Sequence, residues 1–271
     1  MPELPEVETI VRGLATTLPG ATIRAVDVLK PDLIEEESAA SFARELKGRP
    51  IRSVERRAKN IVIDTGGDFL LVNLGMTGRL FLVKEGDPEP THPGVRIHLA
   101  DGRELLYHDV RRFGRLWRMS AEAWERWEAT LGVEPLSDAF TPKWLHGATR
   151  KSRVAIKIWL MDQKRVVGVG NIYASEALFR ARVNPRTPAD EITRPQAKRI
   201  HQGVVDVLAE AIEFRGTTLL DYRDAEGEPG EFVRRLRVYD REGEPCLRCH
   251  RTINRIVQGG RSTFFCPHCQ K

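Results

Sequence analysis

Val7, Ile10, Val11 and Leu14 recur at intervals of three and four, the apolar stripe of an amphipathic helix, and Pro5 suits its first turn. Beyond that helix the period shortens. Runs rich in Val, Ile and Leu, joined by turns too short for crossover helices, predict about eight strands before Arg118. Asn60–Asp64 and Asp68–Leu74 flank Thr65-Gly66-Gly67, a tight hairpin. Val95–Ala100 and Arg103–Asp109 flank Asp101-Gly102, the strongest short hairpin signal in the chain. These strands predict an antiparallel sandwich or barrel-like domain rather than a parallel α/β sheet.

The helical period returns at Met119–Gly132, with Ser120 as N-cap and Gly132 as the stop. Residues 133–149 contain two prolines and no strong period, and are expected to be a linker. From about residue 150 to 216 the pattern is helical. Ile156, Trp159 and Leu160 form one stripe there, and Val204, Val207, Leu208 and Ile212 another. Asp224–Glu231 has the acidic, Gly/Pro-containing composition of a mobile loop. The expected class is α+β. An N-terminal antiparallel β-sandwich flanked by helices spans 1–132, a linker 133–149, a helical domain 150–232 and a cysteine-bearing hairpin 233–271.

Composition narrows the function classes. Hydrophobic residues make up 41% and charged residues 30%, ordinary for a globular protein. No apolar run approaches the ~20 residues needed to cross a bilayer. The start shows no basic leader followed by an apolar stretch, so a cytoplasmic protein is expected. The net charge of +5 is unevenly placed: Arg248, Arg251, Arg255, Arg261 and Lys271 lie in 245–271 with no acid, so residues 1–244 sum to zero. A basic end suits a polyanion partner, nucleic acid above all; a solvated basic tail is the plain alternative.

Cys246, Cys249, Cys266 and Cys269 give the spacing C-x2-C-x16-C-x2-C. Each C-x2-C knuckle can present two sulfurs to a tetrahedral zinc, and two β-like runs about Gly259-Gly260 predict a hairpin between the knuckles. Two disulfides are the alternative, which a reducing compartment disfavours. Four thiolates close the coordination sphere, so such a zinc is structural and His250 and His268 are not needed as ligands. Arg261, just after the Gly-Gly turn, is placed to reach a phosphate or to be a plain surface arginine.

Three stretches combine into a family pattern: PELPEVETIVRGL at the start, GVGNIYASEAL in the middle and the cysteine hairpin at the end. In that order, along the whole chain, they resemble the bacterial formamidopyrimidine-DNA glycosylases, which repair 8-oxoguanine. The resemblance implies a β-sandwich domain, a helix–two-turn–helix domain with a zinc hairpin, and a bifunctional glycosylase/AP lyase. It implies one structural zinc, a duplex DNA partner carrying oxidised purines or abasic sites, and a monomer associated with the nucleoid when bound. Pro2, exposed as the N-terminus once the initiator methionine is removed, would attack C1′ of the damaged nucleotide. A secondary amine yields an iminium with no N–H to lose, and this fixed cation acidifies the neighbouring carbon for β- and then δ-elimination. Glu3 matches the family's acid/base, and Glu6 a carboxylate that holds the N-terminus in place, although helix N-termini favour acids in any case. No role is implied for Glu8.

The resemblance assigns Lys59 to a phosphate beside the lesion and to catalysis. Arg261 matches the hairpin arginine on the flanking phosphates, and so counts with the reacting groups. Asn171, at a helix start, matches a phosphate grip, and Lys157 a further basic DNA contact. Met76, Arg111 and Phe113 match the triad that fills the void left by an extruded base, with arginine pairing the orphaned cytosine. Asn73 stands where many members have a phosphate-binding histidine, which puts that one contact in doubt. Thr217–Glu231 would cap a flipped purine and be weakly ordered without one. Two rivals remain: an endonuclease VIII-like enzyme for oxidised pyrimidines, against which Leu4, Met76, Arg111 and Phe113 stand, and a non-catalytic zinc-containing DNA-binding protein.

Overall fold

The computed structural model describes residues 2–83, 90–218 and 228–271. Helix α1 (Leu4–Ala15) buries Val7, Ile10, Val11 and Leu14, the predicted stripe. Strands β1 (Ile23–Val28), β6 (Pro93–Leu99), β7 (Glu104–Asp109) and β5 (Gly78–Val83) form one antiparallel sheet in the order β1-β6-β7-β5. Strands β2 (Ser53–Arg57), β3 (Asn60–Asp64), β4 (Asp68–Asn73) and β8 (Arg115–Ser120) form the other, in the order β2-β3-β4-β8. Both predicted hairpins are present.

The sheets share one core. Ile23, Val95, Ile97, Leu105 and Leu80 of the first meet Val54, Ile61, Ile63, Val72 and Leu116 of the second, with Phe42 and Leu46 of α2 (Ala39–Leu46) and the stripe of α1. This is a β-sandwich. Strand β3 reads as a continuous apolar run because both its faces are covered: Ile61 and Ile63 point to the main core. Val62 joins Leu71 and Met119 under Trp124 and Trp127 of α3 (Ala121–Glu128). Ser120 caps α3 as predicted, its hydroxyl accepting the Ala123 N–H at 3.3 Å. Gly132 is not the stop of that helix, which ends at Glu128; its N–H donates instead to the Gln163 carbonyl at 2.8 Å.

The chain divides into two compact units, Met1–Thr130 with Phe214–Glu231, and Leu131–Glu213 with Phe232–Lys271. The second contains α4 (Pro142–Thr149), α5 (Ile156–Met161), α6 (Asn171–Ala181), α7 (Arg194–Glu213) and the hairpin of β9 (Asn254–Gln258) and β10 (Arg261–Phe265). Residues 133–149 are therefore more than a linker. Thr141 accepts the Trp144 N–H at 3.1 Å, Pro142 opens α4, and His201 of α7 bonds the Phe140 carbonyl at 2.7 Å. A Thr-Pro start was the missed signal.

Phe214–Glu231 groups with the first unit rather than with the helical domain that precedes it. Its ends are tied together: the Glu231 N–H donates to the Phe214 carbonyl at 2.9 Å, and that of Gly230 to the Thr218 hydroxyl at 2.7 Å. The expected lesion-capping stretch between them, from residue 219 to 227, lies outside the described residues. Among the described residues no helix is long and apolar enough to cross a membrane.

Candidate active site and nucleic-acid interface

Pro2 and Glu3 lead directly into α1 and are buried, Glu3 at 3% exposure. Their placement is fixed by Glu6, itself 1% exposed. One oxygen of its carboxylate accepts the Glu3 N–H at 2.7 Å and the other accepts the Thr217 N–H at 2.7 Å. A charged acceptor serving two buried backbone donors gives bonds stronger than neutral ones. Gly216 makes room for it, because a Cβ there would sit 2.8 Å from Glu6 Oε1, and its φ of +80° suits glycine. The start of the chain and the base of the 217–231 segment thus share one carboxylate.

Lys59 lies on the two-residue turn between β2 and β3, closed by the Arg57–Asn60 pair, with Ala58 at φ +57°. Arg56 steadies that turn from below: it donates to the Ala58 carbonyl at 2.9 Å and to Glu8 of α1 at 3.0 Å. Helix α1 therefore supports both the Pro2–Glu3 segment and, through Glu8, the lysine turn. Met76 and Phe113 are 42% and 52% exposed, large apolar side chains held out of the core. The Arg111 guanidinium lies over the Phe113 ring, 4.5 Å from its centroid.

In the second unit, the Lys157 ammonium donates to Asn171 Oδ1 and, at 3.2 Å, to the Ser262 carbonyl. It joins α5, the first residue of α6 and β10 next to Arg261, which is exposed at the strand start. Gln163 shapes the approach to α6, accepting the Gly168 N–H at 2.8 Å and donating to the Met161 and Val169 carbonyls.

The four cysteine sulfurs lie within 4.8 Å of one another, with Cys246–Cys269 at 4.0 Å and Cys249–Cys266 at 3.5 Å. Sulfurs about 2.3 Å from a tetrahedral ion would be about 3.8 Å apart, so the donor set fits zinc. The Arg251 backbone N–H pulls Cys249 down to about 6, while burial pushes Cys269 up to about 12. Zinc binds the deprotonated form of all four thiols, so metal binding would release their protons.

Residues 1–116 match the formamidopyrimidine-DNA glycosylase N-terminal domain, 131–222 the formamidopyrimidine-DNA glycosylase H2TH domain, and 243–271 a zinc finger found in FPG and IleRS. Curated formamidopyrimidine-DNA glycosylases of Pelotomaculum thermopropionicum and Edwardsiella ictaluri are 42% and 43% identical, over 100% of this chain and 99% and 100% of their own lengths. The chain belongs to the formamidopyrimidine-DNA glycosylase family. The MutM (FPG) protein of Thermus thermophilus superposes with a TM-score of 0.88 at 42% identity, covering 99% of this chain and 98% of that one. A Lactococcus lactis Fpg (MutM) complex with Fapy-dG DNA gives 0.91 at 30% identity, covering 99% and 100%. The zinc finger match and the four clustered cysteines together give the glycosylase one structural zinc site.

Two expected DNA contacts of the glycosylase are engaged elsewhere in this structure. Lys157 is fully buried, and its ammonium orients Asn171 and the hairpin rather than facing outward. Asn73 donates to Asn60 Oδ1 at 2.9 Å and accepts the Gly75 N–H at 3.0 Å, so it joins the base of the Lys59 turn to the Met76 turn. An asparagine is short enough to close that turn on its own backbone, a bond with the local geometry of an Asx turn.

Sequence reasoning passed over Glu8, Arg56 and Glu176. Glu176, fully buried on α6, accepts the backbone N–H groups of Arg237, Val238 and Tyr239 at 2.9–3.0 Å and so anchors the chain entering the zinc module. Its signal was legible: it is the one acid in the otherwise uncharged run Ile172–Phe179.

Proposed function

We propose that this chain excises oxidised purines from duplex DNA and then cleaves the strand, with the Pro2 amine as nucleophile. The amine attacks C1′, the N–C1′ bond forms as the glycosidic bond breaks, and the base leaves. Glu3 protonates the deoxyribose ring oxygen as the ring opens, giving the iminium. Loss of a C2′ proton then expels the 3′ phosphate, and the second elimination expels the 5′ phosphate.

The observation that carries this reading is the Glu6 carboxylate, which fixes the backbone beside Pro2 through the Glu3 N–H and holds Thr217 as well. The bond to Glu3 alone would be an ordinary helix capping box; the second bond, from the Thr217 N–H, is what ties a distant segment to the start of the chain. Lys59 and Arg261 are assigned to phosphates at the lesion, and the Asn171 amide nitrogen to a third, its oxygen being taken by Lys157. Met76, Arg111 and Phe113 fill the void. Ring-opened purine and abasic DNA, found in complexes of the Lactococcus lactis enzyme, are assigned to this chain as substrates together with 8-oxoguanine. The zinc hairpin, Arg261 included, is assigned to gripping phosphates, so Arg261 bears on the chemistry only by holding the DNA; the enzyme acts as a monomer in the cytoplasm, on the nucleoid.

Borohydride reduction tests the nucleophile. It should link the protein to DNA containing 8-oxoguanine opposite cytosine, with peptide mapping placing the link at Pro2. An adduct at Lys59, or none from an active preparation, sinks the assignment. Preferential trapping on oxidised pyrimidines would favour the endonuclease VIII-like alternative.

A further inference from the structure

Asp109, the last residue of β7, is 3% exposed and serves two turns at once. Its Oδ1 accepts the Thr77 hydroxyl at 2.6 Å and the Arg111 N–H at 3.2 Å. Its Oδ2 accepts the Gly114 N–H at 2.8 Å and the Tyr107 hydroxyl at 3.2 Å. The Arg111 N–H also reaches the Thr77 hydroxyl, at 3.1 Å. Burial and the adjacent carboxylate raise Tyr107 well above the ordinary phenol range, so it remains a donor.

The two turns also touch through their backbones. Gly75 adopts φ +57°, and a Cβ there would come within 2.5 Å of the Gly114 nitrogen. What the turns carry is exposed: Met76 at 42%, Val110 at 53% and Phe113 at 52%. Side chains held out of the core take their direction from the backbone beneath them, and here both turns bond to one carboxylate, the first through the Thr77 hydroxyl and the second through the Arg111 and Gly114 N–H groups.

We propose that Asp109 is a positioning residue that holds the Met76 turn and the Arg111–Phe113 turn as a single wedge, and thereby sets how strictly the enzyme reads the base opposite the lesion. This rests on the void-filling reading of those three side chains. A carboxylate suits the site because the two backbone donors, Arg111 and Gly114, fall on different oxygens, the Arg111 N–H being shared with the Thr77 hydroxyl. In Asp109→Asn one of the two would meet an NH2 group; hydroxyls can rotate away from such a clash, but backbone N–H groups cannot.

The test uses the full-length, zinc-loaded protein under single-turnover conditions, on 8-oxoguanine opposite cytosine, 8-oxoguanine opposite adenine, and a single-stranded abasic site that leaves no void to fill. For Asp109→Asn, excision opposite cytosine should fall about tenfold, the preference for cytosine over adenine should shrink towards one, and single-stranded cleavage should stay within about twofold. Thr77→Val, which removes one hydroxyl from Oδ1 and keeps the shape, should shift the preference in the same direction by less. It decides the matter if Asp109→Asn does not fold. Unchanged preference in the folded variants, or an equal loss on single-stranded DNA, overturns the proposal. Arg111→Ala separates the two layers. If it keeps the preference while Pro2 traps normally, the void-filling reading itself fails. If it loses the preference while Asp109→Asn and Thr77→Val keep it, only the positioning role fails.

Discussion

Glu6 and Asp109 each accept a backbone N–H on either oxygen of a buried carboxylate; for Asp109 both donors lie in the turn that follows it, and the Thr77 hydroxyl brings in the second segment. For Glu6 the segments are the start of the chain and Thr217. Glutamine has the shape but a single acceptor, so Glu6→Gln must point an NH2 group at one of the two donors. The expected cost is about 1–3 kcal/mol, read as a lower urea midpoint, together with slower excision and slower borohydride trapping. Wild-type stability and trapping in Glu6→Gln would show that the carboxylate does not position Pro2. The part of Glu6 was legible in the sequence because it lies inside a recognisable motif. The part of Glu8 was not, since its partner Arg56 is far along the chain and nothing local distinguishes it from a solvated acid of an amphipathic helix. Asn73 was legible as a departure but not as a replacement, because its bonds to Asn60 and Gly75 depend on the register of β3 against β4.

At the scale of elements, periodicity found α1, both hairpins of the sandwich, α3 and the cysteine hairpin, each of which announces itself through a local repeat or a turn residue. It missed α4, whose eight residues are too few to show a period and whose Thr-Pro start lay within a stretch read by its prolines. It also placed Phe214–Glu231 with the helices that precede it, although that segment groups with the sandwich unit and its Thr217 N–H bonds to Glu6 of α1. The elements of the second unit give a sharp test. Arg261 is exposed at the tip of β10, while Lys157 is buried beneath it on the Ser262 carbonyl. Each phosphate contact contributes about 0.9 to the slope of log affinity against log salt on duplex DNA. Arg261→Ala should therefore weaken binding to damaged and undamaged duplexes alike and flatten that slope by about one contact. Lys157→Met should weaken binding by loosening Asn171 and the hairpin, yet leave the slope unchanged. A flattened slope in Lys157→Met would make Lys157 a phosphate contact in the bound state.

On the proposed function, the whole molecule separates chemistry from grip. Pro2, Glu3, Glu6, Lys59 and the ends of the 217–231 segment belong to one compact unit, and Lys157, Asn171, Arg261 and the zinc cysteines to the other. The cysteine module is held to α6 through Glu176, and inside the module Cys246, Cys266, Ile253 and Phe264 form a small core with Val238 and Phe179. A core of that size depends on its metal to stay folded. Cys249→Ser should therefore unfold the hairpin, strip the contacts it positions and lower duplex affinity more than Arg261→Ala does. The Glu6 clamp lies in the other unit and should survive. At low salt and saturating enzyme, single-turnover cleavage of a single-stranded abasic site by Cys249→Ser should then retain activity within about tenfold of wild type, while excision from duplex DNA collapses. Hydrogen exchange supplies the control, since protection of the sandwich strands should match wild type. Complete loss of single-stranded cleavage with the sandwich still protected would mean that the zinc module takes part in the chemical step, and that the division between the units is wrong.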